Sequence, residues 1–230
     1  MLTVRDLSVE YEDGIRAVNR VSFSIMPAEN VALIGANGAG KSTLLLALVG
    51  VLATKTGHIA INGFPLIKKN LPAFRARVGL VFQNPDDQLF MANVYEDVAF
   101  GPRAFGCTEQ QTKERVFGVL EQLKIDHLAN RSPLKLSGGE KRLAALATVL
   151  AMEPDYLLFD EPTAFLDPRS RRNLQDIINR LPQGKLLATH DLNFAAAACS
   201  RLLILKEGAI VINGGVDCLK NTALLENSGL

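Results

Sequence analysis

The chain has 230 residues and a formal net charge of +1 at pH 7, a length that can bury one substantial α/β core. Its 25 basic and 24 acidic residues nearly balance, so no global electrostatic field favours binding to nucleic acid or to an anionic membrane surface. The longest apolar run, residues 44–53, is shorter than the ~18 residues of a membrane span, which argues against direct membrane insertion.

Alternating apolar residues open the chain and predict antiparallel strands, first around residues 7–11 and then around residues 21–25. We expect these two strands to pair with residues 57–62 as a side sheet. Five later apolar runs are typical of buried parallel strands; they cover residues 31–34, 78–82, 156–159, 186–189 and 202–205. Helical periods lie between these runs, at residues 116–123, 143–150 and 174–181.

Strands that alternate with helices predict the α/β class, with a parallel sheet joined by right-handed crossovers. From about residue 84 to residue 148 the strand pattern is absent, which predicts a helical insertion. We therefore expect one domain with three parts. Its core and β-subdomain cover about 1–83 and 149–215, its helical subdomain covers about 84–148, and a short tail covers 216–230.

A glycine-rich segment follows the strand at residues 31–34. Residues 35–42 have the pattern G-x-x-x-x-G-K-[ST] of a phosphate-binding loop, which marks a nucleoside triphosphatase. Its glycines let consecutive N–H groups point at one centre, and the following helix adds partial positive charge for phosphates. Lys41 supplies a cation, and the Ser42 hydroxyl is placed to bind Mg²⁺. The residues expected to hold the nucleotide are Gly35, Ala36, Asn37, Gly38, Ala39, Gly40, Lys41, Ser42 and Thr43.

The segment Leu136-Ser137-Gly138-Gly139-Glu140 has two explanations. Ser137 and Glu140 have the spacing of a helix capping box, and the helix that would follow is the periodic one through residue 150. Capping does not require Gly138 and Gly139, because glycine weakens the first turn of a helix. Two glycines also leave bare N–H groups that can approach an anion closely.

Two adjacent carboxylates, Asp160 and Glu161, end the apolar strand at residues 156–159. This is the carboxyl edge of the sheet, where α/β proteins bind ligands. Pro162 ends the strand, so we expect both carboxylates to face one site. Asp160 is placed to orient the metal, and Glu161 is our candidate for the general base that polarises the attacking water.

These motifs, in this order, resemble the ATP-binding cassette (ABC) family over the whole chain. The resemblance implies the ABC ATPase fold. This fold has a P-loop NTPase (RecA-like) core with a parallel sheet, an N-terminal antiparallel β-subdomain and an inserted α-helical subdomain. It also implies that the ligands are ATP and Mg²⁺ and that the reaction is ATP hydrolysis.

Further roles follow only from this resemblance. His190 matches the family's histidine that contacts the γ-phosphate and holds the catalytic glutamate and water. Gln83 matches the glutamine that touches Mg²⁺ and the attacking water, so the expected metal set is Ser42, Gln83 and Asp160. A flexible connection after Gln83 would let nucleotide state move the helical insertion. Tyr11 matches the aromatic residue that stacks on adenine.

The resemblance also implies a dimer. In the family, the segment at residues 136–140 faces the γ-phosphate bound by a partner chain, in a two-fold, head-to-tail dimer that encloses two ATP molecules. Asp167 matches the dimer-contacting loop. Phe165 and Glu140 depart from the family, where a small residue and a glutamine are commoner. The second ATPase is another copy of this chain or a related paralogue.

Residues 83–90 and 94–102 together resemble the ATPase subunits of energy-coupling factor transporters, particularly the cobalt and nickel branch. Those importers join two ATPases to a membrane coupling subunit and a small substrate-binding membrane protein. In that family this region forms the groove that receives helices of the coupling subunit. The carboxylates expected to meet arginines there are Asp86, Asp87, Glu96 and Asp97.

The resemblance implies a peripheral protein on the cytoplasmic face of the cell membrane. The three cysteines, odd in number and without C-x-x-C spacing, agree with a reducing cytoplasm. Cobalt, nickel and a vitamin such as biotin all stay open as the substrate. The alternative is a soluble, non-transport ABC ATPase with an assembly role, such as iron–sulfur cluster biogenesis. The segments at 83–90 and 94–102 favour the transporter.

Overall fold

The computed structural model describes residues 1–221 and 225–226. The strands are β1 (Leu2–Glu10), β2 (Arg16–Ile25), β3 (Asn30–Ile34), β4 (Thr56–Ile61), β5 (Phe64–Pro65), β6 (Val78–Val81), β7 (Tyr156–Asp160), β8 (Gly184–Thr189), β9 (Arg201–Lys206) and β10 (Ala209–Gly215). The helices are α1 (Lys41–Leu48), α2 (Leu71–Arg75), α3 (Val94–Ala104), α4 (Glu109–Gln122), α5 (Gly138–Leu150), α6 (Pro168–Arg180) and α7 (Leu192–Ala198). The expected tail begins with a short 3-10 turn at Val216–Lys220, and residues 222–224 and 227–230 lie outside the described residues.

A six-stranded sheet has the order β10-β9-β3-β8-β7-β6. Strand β3 pairs in parallel with β8 and β9, β7 pairs in parallel with β8, and β10 closes the edge antiparallel to β9. Every residue of β8 is buried, as expected for a strand covered on both faces. The five apolar runs predicted from the sequence form strands, and the expected α/β class with a parallel central sheet is confirmed.

A four-stranded antiparallel sheet has the order β2-β1-β4-β5. Strand β1 pairs with β2 on one side and with β4 on the other, so Leu2 lies opposite both Ile25 and Ile61. This is the side sheet that the alternating pattern predicted. Its apolar face joins the same hydrophobic core as α1 and strands β3, β7, β8 and β9.

By its internal contacts the chain divides into two compact units. Unit 1 holds Met1–Leu80, Asp155–Glu161 and the described part of Pro182–Leu230, and unit 2 holds Val81–Pro154 and Pro162–Leu181. This division differs from the expected boundaries because α6 groups with the helical part. Helix α6 contacts α5, and a Cβ at Gly139 would lie 2.7 Å from Ser170 Oγ.

Unit 2 is helical, as the loss of strand pattern predicted, and contains α3, α4, α5 and α6. Among residues 1–221 and 225–226, we find no helix with the length and apolar character needed to cross a membrane.

Candidate functional site

The glycine-rich loop of unit 1 connects the end of β3 to the start of α1, as predicted. Gly40 caps α1 with φ +103°, in the left-handed region that glycine tolerates best. A Cβ at Gly40 would collide with the carbonyl oxygen of Ala17, and one at Gly35 with the carbonyl oxygen of Leu205. Strands β2 and β9 therefore hold the loop at both of its ends, in a shape that side chains would prevent.

Lys41 lies inside this loop and is only 7% exposed. Its Nζ donates to the carbonyl oxygens of Gly35 at 2.7 Å and Ala36 at 3.2 Å. The same nitrogen lies 3.9 Å from Glu161 Oε1. One buried cation thus connects the phosphate-binding loop to the carboxylate predicted as the general base.

Asp160 ends β7 beside Ser42, the first-turn serine of α1. Burial raises the pKa of the Asp160 carboxyl above its ordinary value, although the hydrogen bond to Ser42 opposes this effect. Asp160 Oδ1 is buried and has no hydrogen-bond partner among the described residues. An unpartnered carboxylate oxygen next to a serine hydroxyl is a donor set that suits a hard cation such as Mg²⁺.

No cluster of three or more His, Cys, Asp or Glu side chains that could hold a metal occurs within residues 1–221 and 225–226. A cation between Ser42 and Asp160 would therefore need further oxygen ligands from water or from phosphate, as Mg²⁺ commonly has. Gln83, the third predicted metal ligand, belongs to unit 2, and its contact with Mg²⁺ stays a prediction.

Glu161 has a left-handed backbone, with φ +42°, directly after the strand. Its amide donates to the carbonyl oxygen of Ala188 at 2.8 Å, and its side chain is only 9% exposed. The left-handed residue interrupts the strand's alternation of faces. The sequence predicted that Asp160 and Glu161 face one site. In the structure Glu161 lies near Lys41, and Asp160 forms a hydrogen bond with Ser42. Lys41 and Ser42 are consecutive residues of α1.

The Glu161 carboxylate has contacts on both oxygens. Oε1 lies 2.9 Å from His190 Nδ1. Oε2 accepts from Thr189 Oγ1 at 3.2 Å and lies 3.4 Å from the His190 amide nitrogen. The structure therefore brings together Glu161 and His190, which are 29 positions apart in the chain.

Thr189 is a residue that our sequence reasoning missed. It is fully buried at the end of β8. Its Oγ1 accepts from the Asp191 amide at 3.0 Å, so the hydroxyl proton is free to be donated to Glu161. The available signal was a hydroxyl side chain at the end of an apolar strand, immediately before the predicted histidine.

Tyr11 follows β1 and its side chain is partly exposed. Its hydroxyl lies 2.8 Å from Thr43 Oγ1, and either oxygen can be the donor. The structure thus places the aromatic ring beside the first turn of α1, near the phosphate-binding loop. Stacking of the ring on adenine stays a prediction.

In unit 2, Ser137 caps α5 as the spacing predicted. The Glu140 amide donates to Ser137 Oγ at 3.4 Å, and the Ser137 amide donates to Glu140 Oε2 at 2.8 Å. Both halves of the capping box are present. A Cβ at Gly138 would meet no atom within 4 Å. Packing therefore gives no reason for glycine at this position, whereas anion binding does.

Asp167 caps α6. Its Oδ1 accepts from the amides of Arg169 at 2.8 Å and Ser170 at 3.1 Å. The Ser170 hydroxyl also donates to Asp167 Oδ2, and this bond, followed by the two amides, lowers the pKa of the Asp167 carboxyl. Phe165, two residues earlier, is 92% exposed and has φ +62°. Its exposure has no explanation within a single chain. Contact of Asp167 with a second chain stays a prediction.

The four carboxylates predicted for a membrane-partner groove have different surroundings. Asp86 is paired with Lys141 at 2.6 Å, Asp87 Oδ1 accepts from the Asn84 side chain at 3.3 Å, and Glu96 is paired with Arg103 at 2.5 Å. These pairs lie at the surface, where an ion pair is worth only about 0–1 kcal/mol. Contact of these three carboxylates with a membrane partner stays a prediction.

Asp97 corrects one expectation, because it does not offer its carboxylate to a partner. It is 3% exposed, and its Oδ1 accepts from the amides of Phe90 at 2.8 Å and Met91 at 2.9 Å. Burial raises the pKa of this carboxyl, and the two amide donors oppose the increase. Asp97 holds the segment before α3 in place from inside unit 2.

Phe90 and Phe100 form an exposed aromatic pair beside these carboxylates. Their ring centroids are 5.2 Å apart in an edge-to-face arrangement, with Phe90 63% and Phe100 48% exposed. Our sequence reasoning quoted both segments but named only the acidic residues. A pair of exposed phenylalanines is typical of the central part of a protein–protein interface.

Comparisons with known proteins find relatives of this chain. A family model described as ABC transporter matches residues 18–164. The chain is similar to the energy-coupling factor transporter ATP-binding protein EcfA of Carboxydothermus hydrogenoformans, with 41% identity over 99% of this chain and 85% of that protein.

Solved structures are similar over nearly the whole chain. CbiO1 from Clostridium perfringens, described as part of the ABC transporter complex cbiONQ, has a TM-score of 0.86 and 34% identity, covering 98% of this chain and 92% of that one. The dimeric ATP-binding cassette MJ0796, bound to ADP and Pi, has a TM-score of 0.84 and 25% identity, covering 94% and 99%.

Proposed function

This chain belongs to the ATP-binding proteins of ABC transporters, which couple ATP hydrolysis to transport, and from that membership we propose that it is the ATPase subunit of an energy-coupling factor importer. The observation that carries the proposal is 41% identity to EcfA over 99% of the chain. The resemblance of residues 83–90 and 94–102 to this transporter class points in the same direction.

The nucleotide site of unit 1 supplies the groups that hydrolysis needs. Backbone N–H groups of the loop and Lys41 hold the phosphates. Ser42 and Asp160 would hold Mg²⁺, which would neutralise phosphate charge. Glu161 accepts a proton from the attacking water. His190, whose side chain is largely exposed, joins Glu161 to the γ-phosphate side of the site.

A complete site also needs a second chain. Gly138 leaves the first turn of α5 open to an anion, and Phe165 exposes an aromatic ring beside Asp167. A two-fold dimer places both features against a partner's nucleotide and loop. The similar cassette MJ0796 is described as dimeric in a state bound to ADP and Pi.

The partner in the membrane is a coupling subunit, which we place on the surface formed by Phe90, Phe100, Asp87 and Glu96. Exposed apolar rings and carboxylates within the same two segments fit an amphipathic helix that carries arginines. The ATPase then lies on the cytoplasmic face of the membrane, and a separate membrane subunit binds the substrate. Resemblance of this region to the cobalt and nickel branch makes one of these ions the proposed cargo.

The test is purification of the tagged chain from detergent-solubilised membranes of its own host. We expect a coupling subunit and a small substrate-binding membrane protein to co-purify, and vesicles containing the complex to take up radioactive Co²⁺ or Ni²⁺ with ATP. Phe90→Asp should release the membrane proteins, while Phe105→Asp, at another exposed phenylalanine of unit 2, should retain them. Recovery of only soluble partners would contradict the proposal.

A further inference from the structure

Arg142 is a charged residue in the interior of unit 2. It lies on α5, two residues after Glu140, and is 2% exposed. One terminal nitrogen, Nη1, donates to the carbonyl oxygen of Phe82 at 2.7 Å. The other, Nη2, donates to the carbonyl oxygen of Gln83 at 2.7 Å and lies at the limit of hydrogen bonding, 3.5 Å, from that of Ala164.

This guanidinium has no carboxylate within ion-pair distance among the described residues, and its Nε has no partner there. Burial lowers the pKa of Arg142 from its ordinary value, with no nearby charge to oppose it. A buried charge without a counterion is expensive, and a well-packed apolar residue is often more stable at such a position. Stability alone therefore does not account for an arginine here.

The carbonyls that Arg142 holds belong to segments that we propose to act on nucleotide. Gln83 is the predicted contact for Mg²⁺ and water. Ala164 lies on the loop that leads to Asp167, the predicted dimer contact. Arg142 itself is five residues after Ser137, on the helix that begins at the predicted γ-phosphate contact.

Other contacts attach the Gln83 segment to the same helix. Gln88 Nε2 donates to the carbonyl oxygen of Ala145 at 2.8 Å and to Thr148 Oγ1 at 2.7 Å, while its Oε1 accepts from the Phe82 amide at 3.2 Å. Asp86 is paired with Lys141. The connection after Gln83 is thus tied to α5 along its length, which differs from the flexible connection that we expected.

We propose that Arg142 is a positioning residue that joins the Gln83 segment, the loop before Asp167 and the first turn of α5 into one rigid piece. The planar fork of arginine suits this role because its two terminal nitrogens hold two consecutive carbonyls, Phe82 and Gln83. When two chains close on ATP, all three segments then reach their contacts with nucleotide and partner chain together. This inference rests on the proposed roles of Ser137, Gln83 and Asp167 in hydrolysis.

The experiment compares Arg142→Met and Arg142→Lys with Leu146→Ala, a cavity-forming control on the same buried face of α5. For each variant we would measure the thermal midpoint and the ATP affinity of the monomer. We would measure kcat and KM in the purified complex, at a temperature well below the lowest of the thermal midpoints. Both Arg142 variants should lower kcat at least about tenfold with ATP affinity of the monomer nearly unchanged. Leu146→Ala should lose at least as much thermal stability as either Arg142 variant while keeping most of its kcat.

A second measurement is ATP-driven dimerisation in a Glu161→Gln background. The Arg142 variants should dimerise at least about tenfold more weakly than Leu146→Ala. If kcat and dimerisation instead follow thermal stability alone across the three variants, the positioning role is overturned. Ser137→Ala tests the proposed role of the α5 terminus separately from the role of Arg142. Should it leave kcat unchanged, the proposed role of the α5 terminus in hydrolysis fails, and this inference fails with it.

Discussion

His190 Nδ1 lies 2.9 Å from Glu161 Oε1, although the histidine side chain is 67% exposed and that of the glutamate only 9%. The exposed ring therefore connects a buried carboxylate to the open side of the nucleotide site. Glu161 is held on its other sides by Thr189 and by the buried Lys41. A base restrained in this way needs little rearrangement before it accepts a proton, which is how positioning contributes to phosphoryl transfer.

Glu161→Gln should stop turnover while ATP binding is retained. The amide keeps the size of the carboxylate and can still accept from Thr189, but it cannot accept a proton from water. We expect kcat to fall at least about a hundredfold, as for loss of a general base. The measurement is phosphate release at saturating ATP, with dimer formation followed by light scattering. Continued hydrolysis at a near-normal rate would assign the base to another residue.

Thr189→Val should lower kcat without altering the fold. Valine has nearly the same shape but removes the hydroxyl that donates to Glu161 and accepts from Asp191. Loss of one buried hydrogen bond is worth about 1–3 kcal/mol, so we expect kcat to fall by about tenfold. Thr189→Ser is the matched control, since it keeps the hydroxyl and should retain most of the activity. Equal losses in both variants would mean that methyl packing matters more than the hydrogen bond.

Because of Lys185, we expect the free energy of unfolding to change with pH in the alkaline range. Lys185 is 1% exposed on β8, and burial lowers the pKa of its ammonium from 10.5 to about 8, although nearby Cys199 opposes this effect. The folded state therefore releases its proton first as pH rises, and the unfolded state binds more protons between pH 8 and pH 10.5. Stability rises with pH wherever the unfolded state binds more protons.

We accordingly expect the free energy of unfolding to increase by up to about 3 kcal/mol from pH 7 to pH 10.5 because of Lys185. In Lys185→Met this contribution is absent. The measurement is urea unfolding of both proteins at several pH values, and the difference between their slopes against pH gives the contribution that is lost with Lys185. Parallel pH profiles for the two proteins would contradict the depressed pKa.

The order of strands and helices was predictable because the spacing of apolar residues is a local property of the sequence. The runs at residues 31–34 and 186–189 are apolar on both faces, so their burial in the central sheet followed directly. Asp97 was misassigned for the opposite reason. A carboxylate at the start of a helix is typical of a solvated face, and only the folded chain brings the Phe90 and Met91 amides to its Oδ1.

The contacts of Arg142 were also beyond sequence reasoning. Its place on the buried face of α5 follows the helical period, but a charged residue there predicts only a partner of unknown identity. The carbonyls that it holds come from segments about 60 and 22 residues away. Main-chain carbonyls leave no residue-type signal, so only the structure identifies them.

Gly138→Ala should separate stability from activity at the start of α5. Alanine favours a helix over glycine by up to about 1 kcal/mol, and a Cβ at this position meets no atom within 4 Å. We therefore expect the variant to be as stable as the native chain or slightly more stable. The added methyl group lies where an anion would approach the bare N–H groups, so kcat should fall at least about tenfold.

Gly139→Ala is the informative comparison for that variant. Its Cβ would lie 2.7 Å from Ser170 Oγ, so this substitution should cost stability as well as activity. Thermal midpoints and kcat of the two variants, measured side by side, distinguish the effects. If Gly138→Ala kept full kcat, the glycine would have no role in binding a partner's phosphate, and Ser137 with Glu140 would be sufficient explanation of the segment as a helix cap.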